Sequence, residues 1–219
     1  MPSTFAIIPA AGNSERMGQP KLAMQLAGRP VIEHTLRAWQ SSQVDRIIVV
    51  VQSRVGPLIE ILKRLADSQS RIELVFPEFP PPDMKASIQA GLRHIESRYA
   101  PAASAAMLVA PADMPRLSAR VIDLLIQCRH EHPGRIMVPT LGERRGHPIL
   151  IPWSLAKAVH ALAEDEGLNS LVERETVVTV AADHVTKGED DPFLDLDTPA
   201  QFAELARHLE NTARDDGKP

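Results

Sequence analysis

Short apolar runs alternate along this chain with longer stretches in which apolar residues return every three or four positions. Thr4 to Pro9 (TFAIIP) is apolar without alternation, which predicts a strand covered on both faces. Pro30 opens a helical stretch with Val31, Ile32, Thr35, Leu36 and Trp39 on one face. Proline suits that first turn, where an N–H would have no helical partner. Ile47 to Val51 reads as a second strand, Pro57 starts a helix with Leu58, Ile59, Leu62 and Leu65 on one face, and Ile72 to Phe76 is a third strand. Pro77 to Asp83 (PEFPPPD) contains four prolines, which fix φ and remove donors, so it is a loop leading into a helix over 85–98. Further strands are expected at 105–110, 135–139, 148–151 and 177–180. Helices are expected from an N-cap at Ser118 to His130, over 154–163 and 168–174, and from Thr198-Pro199 to about 209. The polar stretch from Asn211 to Pro219 is expected to fray.

Strands alternating with helices predict an α/β fold: one domain over 1–210 with a mostly parallel, twisted sheet flanked by helices. Such sheets place ligands at the carboxyl ends of their strands, which directs attention to the segments after strands one, three and four and to the loop before the last helix.

The length of 219 residues allows one sizeable α/β domain and is short for two. With 24 basic and 28 acidic residues the net charge is −4, so no general affinity for nucleic acid or anionic membranes is expected. No apolar run approaches the ~20 residues of a membrane span, and no basic-then-apolar leader opens the chain. Cys128 is the only cysteine, which excludes an internal disulfide and a cysteine-rich metal site. It falls in a helix and reads as a small core residue. The expected location is a reducing cytoplasm.

Ala10 to Leu22 (AAGNSERMGQPKL) directly follows the first strand. Gly12 and Gly18 let the backbone turn and aim N–H groups inward, Arg16 and Lys21 add charge, and Ser14 adds a donor; together these suit a polyphosphate. The loop matches neither GxGxxG nor GxxxxGK[ST], and by its residues alone it is equally readable as a solvated turn. The run Ala10-Ala11-Gly12-x-Ser14-x-Arg16-Met17-Gly18-x-Pro20-Lys21-Leu22 resembles the signature loop of the MobA-like NTP transferases, and in particular their molybdenum cofactor cytidylyltransferase branch. The resemblance implies a Rossmann-like nucleotidyltransferase fold, akin to the GT-A glycosyltransferases, whose loop wraps a triphosphate with Arg16 and Lys21 on its phosphates. It also implies nucleotide contacts from Ala10, Ala11, Gly12 and Ser14.

Asp113 lies just past the fourth strand in Pro111-Ala112-Asp113-Met114-Pro115, where a carboxylate can face the ligand crevice or merely close a turn. The stretch resembles the family's GDMP or GDQP motif, with Ala112 in place of the glycine, which implies that Asp113 is a metal ligand. Asp195-Leu196-Asp197-Thr198-Pro199 precedes the last helix. Its acids alternate and so share a face when extended, although Asp197 or Thr198 is also placed to cap the helix. The run resembles the family's D-x-D-T-P motif, which implies Asp197 first and Asp195 second as further ligands of Mg²⁺, a hard ion that prefers oxygen.

Ser87, in Asp83-Met84-Lys85-Ala86-Ser87, is similar to a family serine beside the nucleotide, and equally a plain first-turn serine. Arg145-Gly146-His147-Pro148 resembles the family's GHP motif, which implies that His147 faces the acceptor; a lone turn histidine is more often structural. Glu164-Asp165-Glu166-Gly167-Leu168-Asn169 departs from the family's G-D-x-G-[AL]-R run at Glu164 and Asn169, which bears on acceptor choice. The Ala-Ala-Gly form of the first loop goes with cytidine in the family and Ala-Gly-Gly with guanosine, which implies CTP. The implied reaction moves CMP to molybdopterin or a related phosphorylated acceptor and releases pyrophosphate. A molybdoenzyme receiving the product is a further implied partner. The alternatives are another acceptor such as a sugar phosphate, a nucleotide-binding maturation protein without turnover, and an oxidoreductase, which the missing GxGxxG disfavours.

Overall fold

The computed structural model describes residues 3–12, 20–52, 56–187 and 190–215. In chain order the elements are β1 (Thr4–Pro9), β2 (Gln25–Leu26), β3 (Arg29–Pro30), α1 (Val31–Ser41), β4 (Arg46–Val50), α2 (Pro57–Ser68), β5 (Ile72–Val75), α3 (Met84–Tyr99) and β6 (Ala106–Val109). Then follow α4 (Ala119–Cys128), β7 (Ile136–Leu141), β8 (Arg144–Arg145), β9 (Ile149–Pro152), α5 (Ala156–His160), α6 (Leu168–Arg174), β10 (Val177–Ala181) and α7 (Pro199–Asp215). The main sheet runs β10-β7-β9-β6-β1-β4-β5, with β8 paired to β7. β5, β4, β1 and β6 are mutually parallel, and so are β10 and β7. β9 runs antiparallel to both its neighbours, β6 and β7.

The continuous apolar run of β1 is explained by cover on both sides. Ala6 and Ile8 join one core with α1 (Ile32, Leu36, Trp39), α2 (Ile59, Leu62), α4 (Ile122, Leu125) and Leu205 of α7. Phe5 and Ile7 join the other, with α3 (Ile88, Leu92, Ile95), α5 (Val159) and α6 (Leu171). Gly91 lets α3 approach the sheet: a Cβ there would lie 2.8 Å from Ile7 Cγ2.

Four local features differ from expectation. β2 and β3 form a hairpin through Ala27 and Gly28, both at positive φ (47° and 78°). That two-residue turn has the backbone of an Asn-Gly turn without its sequence signal. Ser118 stands at the N-cap of α4 but makes no side-chain cap bond. The helix expected over 154–163 is a 3₁₀ turn (Trp153–Leu155) followed by only Ala156–His160. It stops because Lys85 and Gln89 of α3 take the carbonyls of Val159, His160, Ala163 and Glu164, while the Glu166 carboxylate takes the Ala163 N–H. The last helix continues to Asp215, past the boundary expected at 210.

Candidate functional site

β1, β4 and β6 end at one edge of the sheet, and the segments after them meet there. A cavity of about 630 Å³ is lined by Pro9 to Gly12, Lys21, Leu22, Gln52, Pro111 to Asp113, Asp195 and Asp197, with Pro81 to Met84 and Ser87 forming a wall. This is the place the strand-end rule selects.

Lys21 opens a 3₁₀ turn (Lys21–Ala23) anchored by buried Leu22. Its ammonium donates to the Asp113 carboxylate and to the Leu196 carbonyl oxygen (2.9 Å), and lies 3.6 Å from Asp197 Oδ1. Asp113 is almost buried, at 9% exposure. The loop that carries it is fixed from both sides. Thr35 of α1 donates to the Ala112 carbonyl (2.9 Å), and the Leu196 N–H donates to the Asp113 carbonyl (3.1 Å). The two acid-bearing segments are therefore tied to each other through main chain as well as through Lys21.

Asp195 and Asp197 both line the cavity while Leu196 between them is fully buried, as their alternation predicts. The rival assignment of Asp197 as a helix cap is answered by its neighbours. Gln201 accepts the N–H groups of Asp197 (3.0 Å) and Thr198 (2.8 Å), and the Thr198 hydroxyl accepts the Gln201 N–H (3.2 Å). This is the reciprocal capping arrangement of a Thr-x-x-Gln run. Thr198 caps α7, and the Asp197 carboxylate is left to face Lys21. Among the described residues no three acid, histidine or cysteine groups gather into a metal-binding cluster. Asp113 and Asp197 instead both approach one cation, the ammonium.

The remaining predicted residues divide. Ala11 and Gly12 line the cavity, and so does Ala10, but the Ala10 N–H is already committed to the Val50 carbonyl (2.8 Å) and is not available to a phosphate. Ser14 and Arg16 lie outside the described residues. Ser87 is buried on the cavity wall, its hydroxyl donating to the Asp83 carbonyl (3.2 Å), while Asp83 caps α3 through the Ala86 N–H (2.7 Å). Gln52, Pro81, Pro82, Asp83 and Met84 also line the cavity and were not named as site residues, although Pro81 to Met84 belong to the segment after the third strand to which the strand-end rule points. Neither was the Leu196 carbonyl, a main-chain group with no sequence signal. Gln201 had one: its spacing from Thr198.

His147 is not part of the cavity lining. It is half-buried at the turn into β9, and its Nδ1 is buried without a partner. Burial pushes the imidazole below the ordinary histidine value, against the raising effects of the Val109 carbonyl and the Asp195 and Asp113 charges. Because its folded value is depressed, the unfolded chain takes up a proton first as pH falls through the ordinary value near 6.5. His147 therefore subtracts stability below that pH and costs nothing above it. An NMR titration is expected to give a midpoint below 6.5 for His147, and thermal melts of His147→Asn are expected to lose less than the parent between pH 7.5 and 5. A midpoint at or above the ordinary value would overturn this.

The family model of the MobA-like NTP transferase domain matches residues 6–184. A molybdenum cofactor guanylyltransferase of Sinorhizobium fredii is 31% identical over 223 residues, covering 93% of this chain and 91% of its own. One of Mesorhizobium japonicum is 28% identical over 217 residues, covering 94% and 95%. The crystal structure of Rv0371c from Mycobacterium tuberculosis superposes with a TM-score of 0.73 at 21% identity, covering 94% of this chain and 98% of its own. The same protein is also known in complex with manganese, at a TM-score of 0.69. The chain belongs to the MobA-like NTP transferase family, and by that membership it is a nucleotidyltransferase. No described helix is long and apolar enough to cross a membrane.

Proposed function

We propose that the protein transfers a nucleoside monophosphate from a nucleoside triphosphate to a phosphorylated acceptor of the molybdopterin kind. An acceptor phosphate oxygen attacks the α-phosphorus in line, the bond to the bridging oxygen breaks, and pyrophosphate leaves. A phosphate nucleophile is already anionic at neutral pH, so no general base is needed, and among the described residues that line the cavity there is no histidine. The observation that carries this reading is the convergence of Lys21, Asp113 and Asp197 at the strand-end cavity.

Asp113 and Asp197 each present a carboxylate oxygen to one positive charge, and the Leu196 carbonyl adds a third oxygen. This all-oxygen donor set fits a hard divalent ion, Mg²⁺ by preference, with Asp195 beside it. Such an ion would neutralise charge on the phosphates as pyrophosphate departs. Lys21 would hold a phosphate oxygen, as would Arg16, and the amides of Ala11 and Gly12 would support the chain of phosphates. Ser87 and the turn around it would flank the nucleoside, and His147 would act from behind the acids toward the acceptor. A molybdoenzyme would receive the product.

For the base, Ala11 in the Ala-Ala-Gly loop supports CTP, whereas the relatives named guanylyltransferases support GTP. Incubation with each triphosphate, Mg²⁺ and molybdopterin, followed by pyrophosphate measurement, separates these. Release with CTP is the expected result, and release with GTP alone would replace the cytidine reading with the guanosine one. Release only with a sugar phosphate in place of molybdopterin would move the acceptor. Tight nucleotide binding with no pyrophosphate would make the protein a binding module.

A further inference from the structure

Among the described residues the mechanism above leaves one buried cation, Lys85, unused. Lys85, in the first turn of α3, is only 9% exposed. Its ammonium donates to the carbonyls of Ala163 (2.6 Å) and Glu164 (2.7 Å) and lies 4.0 Å from Asp83 Oδ2. A buried ammonium is costly unless hydrogen-bonded, and a methionine of similar shape would pack there without that cost.

Its position explains the choice. The residues flanking it on the same turn, Asp83, Met84 and Ser87, line the cavity, whereas Lys85 points to the opposite partner, the turn over 163–166. That turn is a firm anchor: the Glu166 carboxylate accepts the Ala163 N–H (2.8 Å) and pairs with Arg174, and the Glu166 N–H returns to the Ala163 carbonyl (3.1 Å). Further along, α3 is already held, by Gln89 on the Val159 carbonyl (3.1 Å) and by Gly91 pressed on Ile7. The segment leading into α3 brings four prolines, which have no N–H with which to brace it. At the cavity end of α3, buried Ile88 packs in the core, and Lys85 adds the side-chain tie to the 163–166 turn.

We propose that Lys85 is a positioning residue of the nucleotide site. By holding the carbonyls of Ala163 and Glu164 it sets the place of Asp83, Met84 and Ser87 in the cavity wall. This rests on the reading of the cavity as the nucleotide site, and the experiment has two separate readouts. In Lys85→Met, hydrogen exchange at residues 84–88, measured without nucleotide, is expected to rise about tenfold while exchange in β1 and β4 stays unchanged. KM for the nucleotide is expected to rise about tenfold with kcat within about threefold. Lys85→Arg, which retains donors for both carbonyls, is expected to restore both quantities in part. If the methionine variant does not fold, Lys85→Gln, with one amide donor, carries the same comparison. Unchanged exchange at 84–88 would overturn the proposal. So would a fall in kcat and in melting temperature at unchanged KM, which would make Lys85 scaffold only. Absence of turnover in the parent protein would count against the proposed function, whereas the exchange result would still decide what Lys85 holds.

Discussion

Asp113→Asn is expected to lower turnover by about 10³-fold, the scale of removing one charge-stabilising group from a preorganised site. The melting temperature is expected to move by only a few degrees. The two effects separate because the carboxylate has little to do in the scaffold. The loop around it is held by the Thr35 hydroxyl on the Ala112 carbonyl and by the Leu196 N–H on the Asp113 carbonyl, bonds that the substitution does not touch. The asparagine oxygen can still accept from Lys21, and Lys21 keeps the Leu196 carbonyl and Asp197. The stability loss is thus that of one weakened charge-assisted bond, about 1 kcal/mol, or about 2–4 °C for a chain of this size. What is lost is one of the two negative charges that approach the Lys21 ammonium. Steady-state pyrophosphate release beside a thermal melt makes the comparison. Parallel loss of activity and of stability would show that Asp113 belongs to the scaffold.

Gly146→Ala carries the largest expected effect on folding. A Cβ at this position would lie 2.2 Å from Cγ and Cδ2 of Phe193 and 2.4 Å from Cδ1, so no small adjustment accommodates it. The ring cannot simply swing aside. It is buried with Val121 and Ala182, the Arg144 guanidinium lies 5.5 Å from its centroid, and its own N–H is held by Asp191 (2.9 Å). Arg144 in turn pairs with Asp191 (2.5 Å), which closes the cage. Forcing an extra methyl into such packing costs about 3 kcal/mol, which lowers the melting temperature of a 150–250-residue chain by about 6–12 °C. Phe193 stands two residues before Asp195, so turnover is expected to fall with stability, unlike in Asp113→Asn. Introducing Gly146→Ala into a Phe193→Ala background removes the clash, and there the added cost is expected to drop below about 1 kcal/mol. An equal cost in both backgrounds would assign the glycine another purpose.

That glycine shows how far the sequence could be read. Arg145-Gly146-His147-Pro148 stood out as a motif by resemblance, yet the reason for its glycine is a phenylalanine nearly fifty positions downstream, which no local pattern reveals. The strands and most helices were legible because periodicity reports burial, and burial here is simple: β1 is covered on both sides, and α1 and α2 each bury one stripe. The shortened α5 was not, because Gln89 reaches its carbonyls, and Lys85 those of the turn after it, from another helix. The β2–β3 hairpin was hidden because alanine occupies a left-handed position that asparagine would have advertised. At the cavity, Lys21, Asp113 and Asp197 were found by motif and do meet. Ala10 was named by resemblance as a nucleotide contact and does line the cavity, its N–H bonded to the Val50 carbonyl, and the Leu196 carbonyl is invisible to any reading of side chains.

The bond from Lys21 to the Leu196 carbonyl joins residues 175 positions apart. A ribosome adding about 5–20 residues per second leaves roughly 10–35 s between making the lysine and making its partner. During that interval the growing polypeptide carries the first strands, but the contacts of Lys21 with Leu196 and Asp197 do not yet exist. Translation halted before residue 196 yields a fragment without the Leu196 carbonyl and Asp197, so the contacts that close around Lys21 arrive only late in synthesis.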